Sequence, residues 1–256
     1  MRQPEPAQPR AEASAADFDA YANSYDDDVN RSIGFIGAEH EFFVEAKART
    51  LLELVRARLG APRSVTALDV GCGPGLTDAA LDGAFAKLAG VDVSPSILER
   101  AAERNAGVEY HLSDGRRLPF DDGSFDVTFA ICVLHHVPPS ERDSFLAEMA
   151  RVTASPGIVA VFEHNPLNPL TRLAVRNCSF DHGVRLVMPG ELSHRLAGTG
   201  ARVTDRRFIV FIPWRSRILA AAERGLRWLP LGGQYVVAGA VSQPAPNRRN
   251  RHEPPP

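Results

Sequence analysis

The stretch LDVGCGPG, residues 68–75, decides the fold of this chain. It places Gly71, Gly73 and Gly75 directly after the short apolar run VTALDV, which is typical of a strand buried on both faces. A single glycine is enough for a tight turn, so three within five residues indicate that a ligand approaches the backbone closely. The turn is therefore predicted to be a platform for a nucleotide-like ligand.

Strand and helix patterns alternate on both sides of this turn. Helical spacing predicts helices over residues 38–60, 74–83, 94–105, 139–153 and 189–200. The third of these has Ser94 as its N-cap and Pro95 at its first position. Apolar runs predict strands at residues 65–70, 86–93, 108–114, 125–134, 157–164, 201–212 and 234–241. This alternation predicts an α/β, doubly wound, mostly parallel seven-stranded sheet with helices on both faces.

Length and composition predict one folded domain over residues 16–242 of the 256-residue chain. The proline-rich residues 1–15 and the tail at 243–256 are predicted to be disordered, because they cannot bury enough apolar surface. The formal net charge of -2, without a long basic face, argues against a nucleic-acid partner. Neither a signal peptide nor a membrane-spanning run is indicated.

The lysines and cysteines exclude several kinds of chemistry. Lys47 and Lys87 are the only lysines, which leaves little for a Schiff base or a Tyr–Lys dehydrogenase pair. Cys72, Cys132 and Cys178 are widely spaced and form no CxxC, so neither a disulfide framework nor a thiolate zinc site is indicated. A reduced, cytoplasmic location is expected.

Three acidic residues at successive strand ends indicate which ligand the glycine turn holds. The run reads GxGxG and not the dinucleotide fingerprint GxGxxG. Asp69 precedes the first glycine, Asp92 ends the next strand, and Asp114 ends the third. A carboxylate at the position of Asp92 can accept both ribose hydroxyls, and Asp114 can hold an adenine amino group. Each acid alone fits a turn or cap equally well, but the series favours an adenosyl ligand.

On these motifs the chain resembles the class I S-adenosylmethionine-dependent methyltransferases with small-molecule substrates, over residues 17 to about 163. LDVGCGPG is similar to their first motif, VDVS to their second, and SDGRRLPFDDGSFDVTFAICVLHHV to their third and fourth strands. FDAYANSYDD resembles their amino-terminal lid, in which Tyr21 or Tyr25 closes over the ligand, and Cys132 would lie near the sulfonium. The resemblance implies S-adenosyl-L-methionine as cofactor, bound by Tyr25, Asp69, Gly71, Cys72, Gly73, Gly75, Asp92, Val93, Asp114, Gly115 and Ile131.

Polar residues after the fourth and fifth strands are candidates for the acceptor side. His135 and His136 follow the fourth strand, and because neighbours in an extended segment point to opposite sides, at most one is expected to face the ligand. No metal site is predicted, since such a pair would not chelate together with His164. Glu163, His164 and Asn165 end the fifth strand as a polar pocket wall or as a self-bonding loop. The candidate catalytic residues are therefore His136, Glu163 and His164.

The second half of the chain carries two further features. Arg172, Arg176 and Arg185 attract an acidic substrate or are solvated surface charges. Residues 213–231 have the pattern of a basic amphipathic helix with Trp214 and Trp228 near its ends. Such a helix can contact a membrane surface or a lipid-linked substrate, or can pack on its own domain or a second subunit.

The predicted function is in-line methyl transfer from S-adenosylmethionine to a small-molecule acceptor, lipid-linked or a secondary metabolite. The alternatives are another reaction of the same cofactor (cyclisation or aminocarboxypropyl transfer), a nicotinamide-dependent oxidoreductase, and a non-catalytic interaction module. The acceptor, its accepting atom and the oligomeric state are left open.

Overall fold

The computed structural model describes residues 25–36, 40–211 and 225–242. Within them lie seven strands: β1 Thr66–Val70, β2 Lys87–Asp92, β3 Glu109–Leu112, β4 Phe125–Ile131, β5 Thr153–His164, β6 Arg202–Ile209 and β7 Gln234–Val241. The α-helices are α1 Tyr25–Ile33, α2 His40–Arg58, α3 Leu76–Ala80, α4 Pro95–Arg104, α5 Arg142–Val152, α6 Pro169–Asn177 and α7 Pro189–Gly198. Short 3-10 helices lie at Gly34–Ile36, Pro62–Ser64 and Ser179–Asp181.

The strands form one seven-stranded sheet in the order β3-β2-β1-β4-β5-β7-β6. β3, β2, β1, β4 and β5 run parallel, whereas β7 pairs antiparallel with both β5 and β6. The order reverses between β1 and β4, and in such sheets a crevice opens at the carboxyl ends of the strands beside that reversal. The predicted doubly wound fold is confirmed, and the glycine turn after β1 lies at this crevice.

Two apolar clusters, one on each face of the sheet, form the core. One contains Leu68, Leu146 and Leu192, the other Leu51 and Phe162, and none of these side chains is exposed. The strands read as nearly continuous apolar runs because helices cover both faces. The core therefore fixes the strand ends, and with them every residue that faces the crevice.

Helix boundaries follow local rules that the sequence displays. Ser94 caps α4 as predicted, its hydroxyl accepting from the Ile97 amide at 3.2 Å, and Pro95 is the first helical residue. The helix after the glycine turn starts later than predicted, at Leu76, because Gly75 is left-handed at φ 71°. The sequence prediction missed α6, although Asn168 caps it and Pro169 opens it.

Several predictions fall partly or wholly outside the described residues. These are the disordered ends at 1–15 and 243–256, the lid residue Tyr21, and most of the predicted helix over 213–231. They stay predictions, as does the domain boundary at residue 16. None of the helices in the described ranges is long and apolar enough to cross a bilayer.

Candidate active site

A cavity of about 610 Å³ lies at the carboxyl ends of β1, β2, β4 and β5. Its floor is the glycine turn and the strand ends, and residues of α1, α2 and α6 close its sides. Its volume is within the range of about 300–1,000 Å³ typical of small-molecule sites. Of the residues predicted to bind cofactor, the cavity lining includes Asp69, Gly71, Cys72, Gly73, Asp92, Val93, Asp114, Gly115 and Ile131.

The three glycines of the turn serve different purposes. A Cβ on Gly71, where φ is 74°, would lie 2.7 Å from a methyl of Val133. A Cβ on Gly75 would lie 2.4 Å from the side-chain amide nitrogen of Asn105, and Gly75 is absent from the cavity lining, unlike the sequence prediction. Only Gly73, with φ 54°, lines the cavity and has no atom within 4 Å of its would-be Cβ. Of the three glycines, Gly73 is therefore the one with open space beside its backbone at the cavity.

Asp92 ties the glycine turn to the end of β2. Its Oδ2 accepts from the Gly73 amide at 3.0 Å, and its Oδ1 accepts from the amides of Val93 at 2.7 Å and Ser94 at 3.1 Å. The carboxylate is half-buried and lines the cavity wall, where a ligand can reach it. Asp92 thus holds the turn in shape whether or not it also contacts a sugar.

Asp114 is exposed at the far end of the cavity. Its Oδ1 accepts from the amides of Arg116 and Arg117 at 2.8 and 2.9 Å, and these two bonds lower the pKa of its carboxyl. Gly115 beside it is left-handed at φ 76°. The pair forms a rigid charged edge at the end of β3.

A buried pair of carboxyls, Asp69 and Asp78, lies beneath the glycine turn. Burial, and then the neighbouring carboxyl of Asp78, raises the pKa of Asp69, which is 2 % exposed. Burial also raises the pKa of Asp78 to about 6, and Tyr110 donates to its Oδ2 at 2.8 Å. The buried Lys47 of α2 also lines the cavity, and its positive charge acts in the opposite sense on the pKa of Asp69.

At the carboxyl ends of β4 and β5, side chains from three segments meet in a polar cluster that we call the histidine–carboxylate cluster: His135, His136, Glu163, His164 and Asp181. His135 Nδ1 lies 2.7 Å from Glu163 Oε2, and its Nε2 lies 3.4 Å from Asp181 Oδ1. His136 Nε2 approaches the same Asp181 Oδ1 at 3.2 Å. The ring centroids of His135 and His164 are 5.2 Å apart.

The expectation that only one of the neighbouring histidines faces the cavity is wrong. The chain leaves β4 at Ile131 and turns, with the His136 amide donating to the Val133 carbonyl at 2.9 Å. In a turn, neighbouring side chains no longer alternate as they do in a strand, so both His135 and His136 line the cavity. His164 lines it too, whereas Glu163 is fully buried behind His135 and does not.

Burial and mutual charge set the protonation of the cluster. Burial lowers the pKa of His135, but the carboxylates of Glu163 and Asp181 outweigh it and the pKa is raised. Burial and the charge of His135 lower the pKa of His136, and they lower that of His164 to about 4. Burial would raise the pKa of Glu163 and Asp181, yet the adjacent imidazoles keep both carboxyls ionised.

Other candidates of the sequence lie elsewhere. Asn165 is buried, and its Oδ1 accepts from the Leu167 amide at 3.0 Å, a bond within its own loop, while its side-chain nitrogen donates to the carbonyls of Pro230 and Gly232 in the segment before β7. Arg172, Arg176 and Arg185 are exposed and are not among the cavity-lining residues, as expected of surface charges. For Tyr25 the structure gives only the helical backbone.

Asp181 and the buried face of α6 are the main site features that sequence reasoning missed. Asp181 follows α6 in a 3-10 helix, and no spacing in the sequence links it to His135 forty-six residues earlier. Asn168 as N-cap and Pro169 at the first position were the sequence signals that could have predicted α6. This helix brings Thr171 and Val175 to the cavity.

Known proteins of similar sequence include methyltransferases. Residues 68–161 match the family described as a methyltransferase domain. The chain is 26 % identical over 192 residues to a ubiquinone biosynthesis O-methyltransferase of Xanthomonas axonopodis, covering 70 % of this chain and 79 % of that protein. It is 34 % identical over 109 residues to a 2-methyl-6-phytyl-1,4-hydroquinone methyltransferase of Synechocystis, covering 41 % of this chain but 33 % of that protein.

Among solved structures, a SAM-dependent methyltransferase from Thermotoga maritima superposes with a TM-score of 0.62. It is 18 % identical, and the alignment covers 88 % of this chain and 98 % of that one, so the likeness shows a shared fold. A shared fold alone does not identify a reaction, and the sequence matches to methyltransferases supply that information. The match to a methyltransferase domain over residues 68–161, the methyltransferase relatives and the shared fold together support a class I S-adenosylmethionine-dependent methyltransferase, with S-adenosylmethionine as the cofactor that they imply.

Proposed function

We propose that this enzyme methylates a hydroxyl oxygen of a small, largely apolar acceptor. The observation that carries the proposal is the division of one cavity into two chemically different ends. One end is the glycine turn with its carboxylates, and the other is the histidine–carboxylate cluster. A cofactor at the first end would present its methyl group towards an acceptor at the second.

The residues of the first end fit an adenosyl sulfonium. Gly73 leaves open space where any other residue would place a Cβ, and Asp69 and Asp92 offer carboxyls to a ligand with positive charges. Asp114, Gly115, Val93 and Ile131 line the same end and would enclose the sugar and base. S-adenosylmethionine supplies a methyl on positive sulfur: the acceptor oxygen forms the new O–C bond, the S–C electron pair stays on sulfur as a thioether, and the hydroxyl proton must leave.

The histidine–carboxylate cluster supports an acceptor that has a proton to lose. Two ionised carboxyls and three imidazoles lie in or directly behind the cavity wall, a set suited to ionising a hydroxyl. Glu163 would act through His135, because Glu163 itself does not reach the cavity. Holding the acceptor oxygen in line with the methyl group would supply most of the rate gain, as much as about 7–11 kcal/mol.

An apolar body on the acceptor is supported by α6. Leu170, Thr171, Ala174 and Val175 line the cavity along this helix, and Leu170 is 54 % exposed at its rim. A phenol or hydroquinone with an apolar substituent would place its hydroxyl at the cluster and its substituent along α6. The named relatives, which include a ubiquinone biosynthesis O-methyltransferase and a hydroquinone methyltransferase, support this acceptor class.

The test is product analysis with methyl-labelled S-adenosylmethionine and a matched set of acceptors. A substituted hydroquinone, its mono-O-methyl ether and its di-O-methyl ether differ only in free hydroxyls. With the hydroquinone or its mono-O-methyl ether, we expect one S-adenosylhomocysteine for each labelled methyl ether formed. With the di-O-methyl ether, we expect neither product. Label on a ring carbon would refute O-methylation, and methylthioadenosine in place of S-adenosylhomocysteine would indicate another reaction of the cofactor.

A further inference from the structure

Three potential metal-ligand atoms converge at the acceptor end of the cavity. The Nε2 atoms of His135 and His136 lie 3.4 and 3.2 Å from one oxygen, Oδ1 of Asp181. A ligand atom from each of the three residues lies within 4.8 Å of the other two. Within residues 25–36, 40–211 and 225–242, neither His135 Nε2 nor Asp181 Oδ1 has a hydrogen-bond partner, although both side chains are more than nine-tenths buried.

Both separations are longer than a charge-assisted hydrogen bond, and both match the distance between two ligands of one ion. Charge-assisted N–H···O bonds are about 2.7–2.9 Å long, shorter than either contact to Asp181. Two bonds of about 2.0–2.1 Å at the tetrahedral angle place their ligand atoms about 3.3 Å apart. The observed 3.2 and 3.4 Å lie on either side of that value.

Glu163 orients His135 for ligation. Its Oε2 lies 2.7 Å from His135 Nδ1, and its Oε1 accepts from the His135 backbone amide at 3.3 Å. When Nδ1–H donates to this carboxylate, the lone pair of Nε2 points towards Asp181 Oδ1. Two acceptor atoms then face each other at 3.4 Å, an arrangement that a cation between them stabilises. A carboxylate behind a ligating histidine is the usual outer-shell arrangement of zinc sites.

The charges in this region also favour a divalent ion. Glu163 is fully buried and Asp181 is 6 % exposed, so both carboxyl groups are removed from water. Two carboxyl groups buried this close together are stabilised by a positive charge beside them, which a divalent ion would supply. The nearby Arg142 guanidinium donates to the carbonyls of Val137 and Arg185 and lies 3.6 Å from Glu191, so it is engaged elsewhere.

We propose that His135, His136 and Asp181 bind one divalent zinc-like ion, with Glu163 as the outer-shell partner of His135. Two imidazoles and one carboxylate are a ligand set that zinc accepts, and three protein ligands leave a fourth position open to the cavity. The sequence predicted no metal site because it treated His135 and His136 as pointing apart. The chemical role of this ion rests on the proposed function: a bound divalent ion would coordinate the acceptor oxygen and lower the pKa of its hydroxyl, whose proton would pass to solvent.

The experiment measures metal binding directly, without cofactor or acceptor. The untagged full chain is stripped with a chelator and titrated with Zn²⁺ by calorimetry and with Co²⁺ by visible absorption. We expect one equivalent to bind, with the strong d–d absorption of four-coordinate cobalt. Asp181→Asn and His136→Ala should each abolish saturable binding, and Glu163→Gln should weaken it by about 10- to 100-fold. His194→Ala, on the exposed part of α7, is the matched control and should bind as the wild type does.

The outcomes separate this proposal from the proposed function. The metal site is overturned if the wild type shows no stoichiometric binding, or if binding survives both Asp181→Asn and His136→Ala. An imidazolium of His135 between the two carboxylates would give the first of these results. Circular dichroism shows whether each variant folds. If neither variant folds, the number of ions bound by the wild type decides whether the metal site exists. Hydroxyl methylation by a chelator-stripped enzyme that binds no metal would leave the proposed function standing. Metal binding by an enzyme that forms no methyl ether would leave the metal site standing and contradict the proposed function.

Discussion

The replacement of Gly73 by alanine separates the backbone cost of the glycine turn from its role in binding. At φ 54° an alanine is in the left-handed region, which costs about 1–2 kcal/mol of folding stability. No atom lies within 4 Å of the added Cβ, so no steric cost is added in the free protein. Gly83 is the matched control, because its φ is 62°, its Cβ would also meet nothing within 4 Å, and it is not a cavity-lining residue.

Both variants should therefore lose the same 1–2 kcal/mol in urea unfolding, but only one should lose affinity. We expect Gly73→Ala to weaken S-adenosylhomocysteine binding by at least about 10-fold, equivalent to about 1.4 kcal/mol, because the methyl occupies the space of close approach. Gly83→Ala should bind within about twofold of the wild type, measured by calorimetry. Wild-type affinity in Gly73→Ala, or equal losses in both variants, would refute the assignment of this turn as the cofactor platform.

Three other predictions test separate parts of the structure. Asp92→Ala should weaken cofactor binding by about 1–3 kcal/mol, or roughly 5- to 150-fold, since it removes a carboxylate that also holds the Gly73 amide; an unchanged dissociation constant would count against this placement. Because the pKa of Asp78 is raised to about 6, its neutral form is the one that the fold favours, and its stabilisation is complete below about pH 4 and lost as the pH rises through 6. Asp78→Asn should therefore gain stability relative to the wild type between pH 4.5 and 7.5 in urea unfolding, whereas exposed Asp82→Asn should show no such trend; parallel curves for the wild type and Asp78→Asn would contradict it. If residues 213–231 contact membranes, the chain should co-sediment with anionic vesicles and Trp228→Ser, which alters a side chain 74 % exposed, should reduce the bound fraction; no retention of the wild type would exclude that contact.

The sequence predicted the fold well because both periodic patterns and local signals agreed there. The apolar runs that became β1, β4 and β5 are bounded by turn residues, and Ser94 with Pro95 marked the start of α4. The carboxylates at the ends of β1, β2 and β3 were placed correctly on the cavity because parallel strands end at one edge of a sheet. These features depend only on residues near each other in the chain.

The acceptor end could not be predicted in the same way. The turn after β4 brings His135 and His136 to one side, and nothing in LHHV distinguishes this turn from continued strand. Asp181 reaches the cluster only through the packing of α6 and the 3-10 helix that follows it. Gly75 was predicted to face the ligand, but this position needs a glycine because a Cβ there would clash with the side chains of Asn105 and Tyr110. Long-range packing, which spacing does not record, decides these positions.

The most direct test of the central claim is a crystal structure of the chain with S-adenosylhomocysteine. The account predicts density for the ligand in the 610 Å³ cavity, with the ligand against the Gly73 backbone and its sulfur directed towards the histidine–carboxylate cluster. Ligand density at any other surface, or a sulfur directed away from His135 and His136, would contradict it.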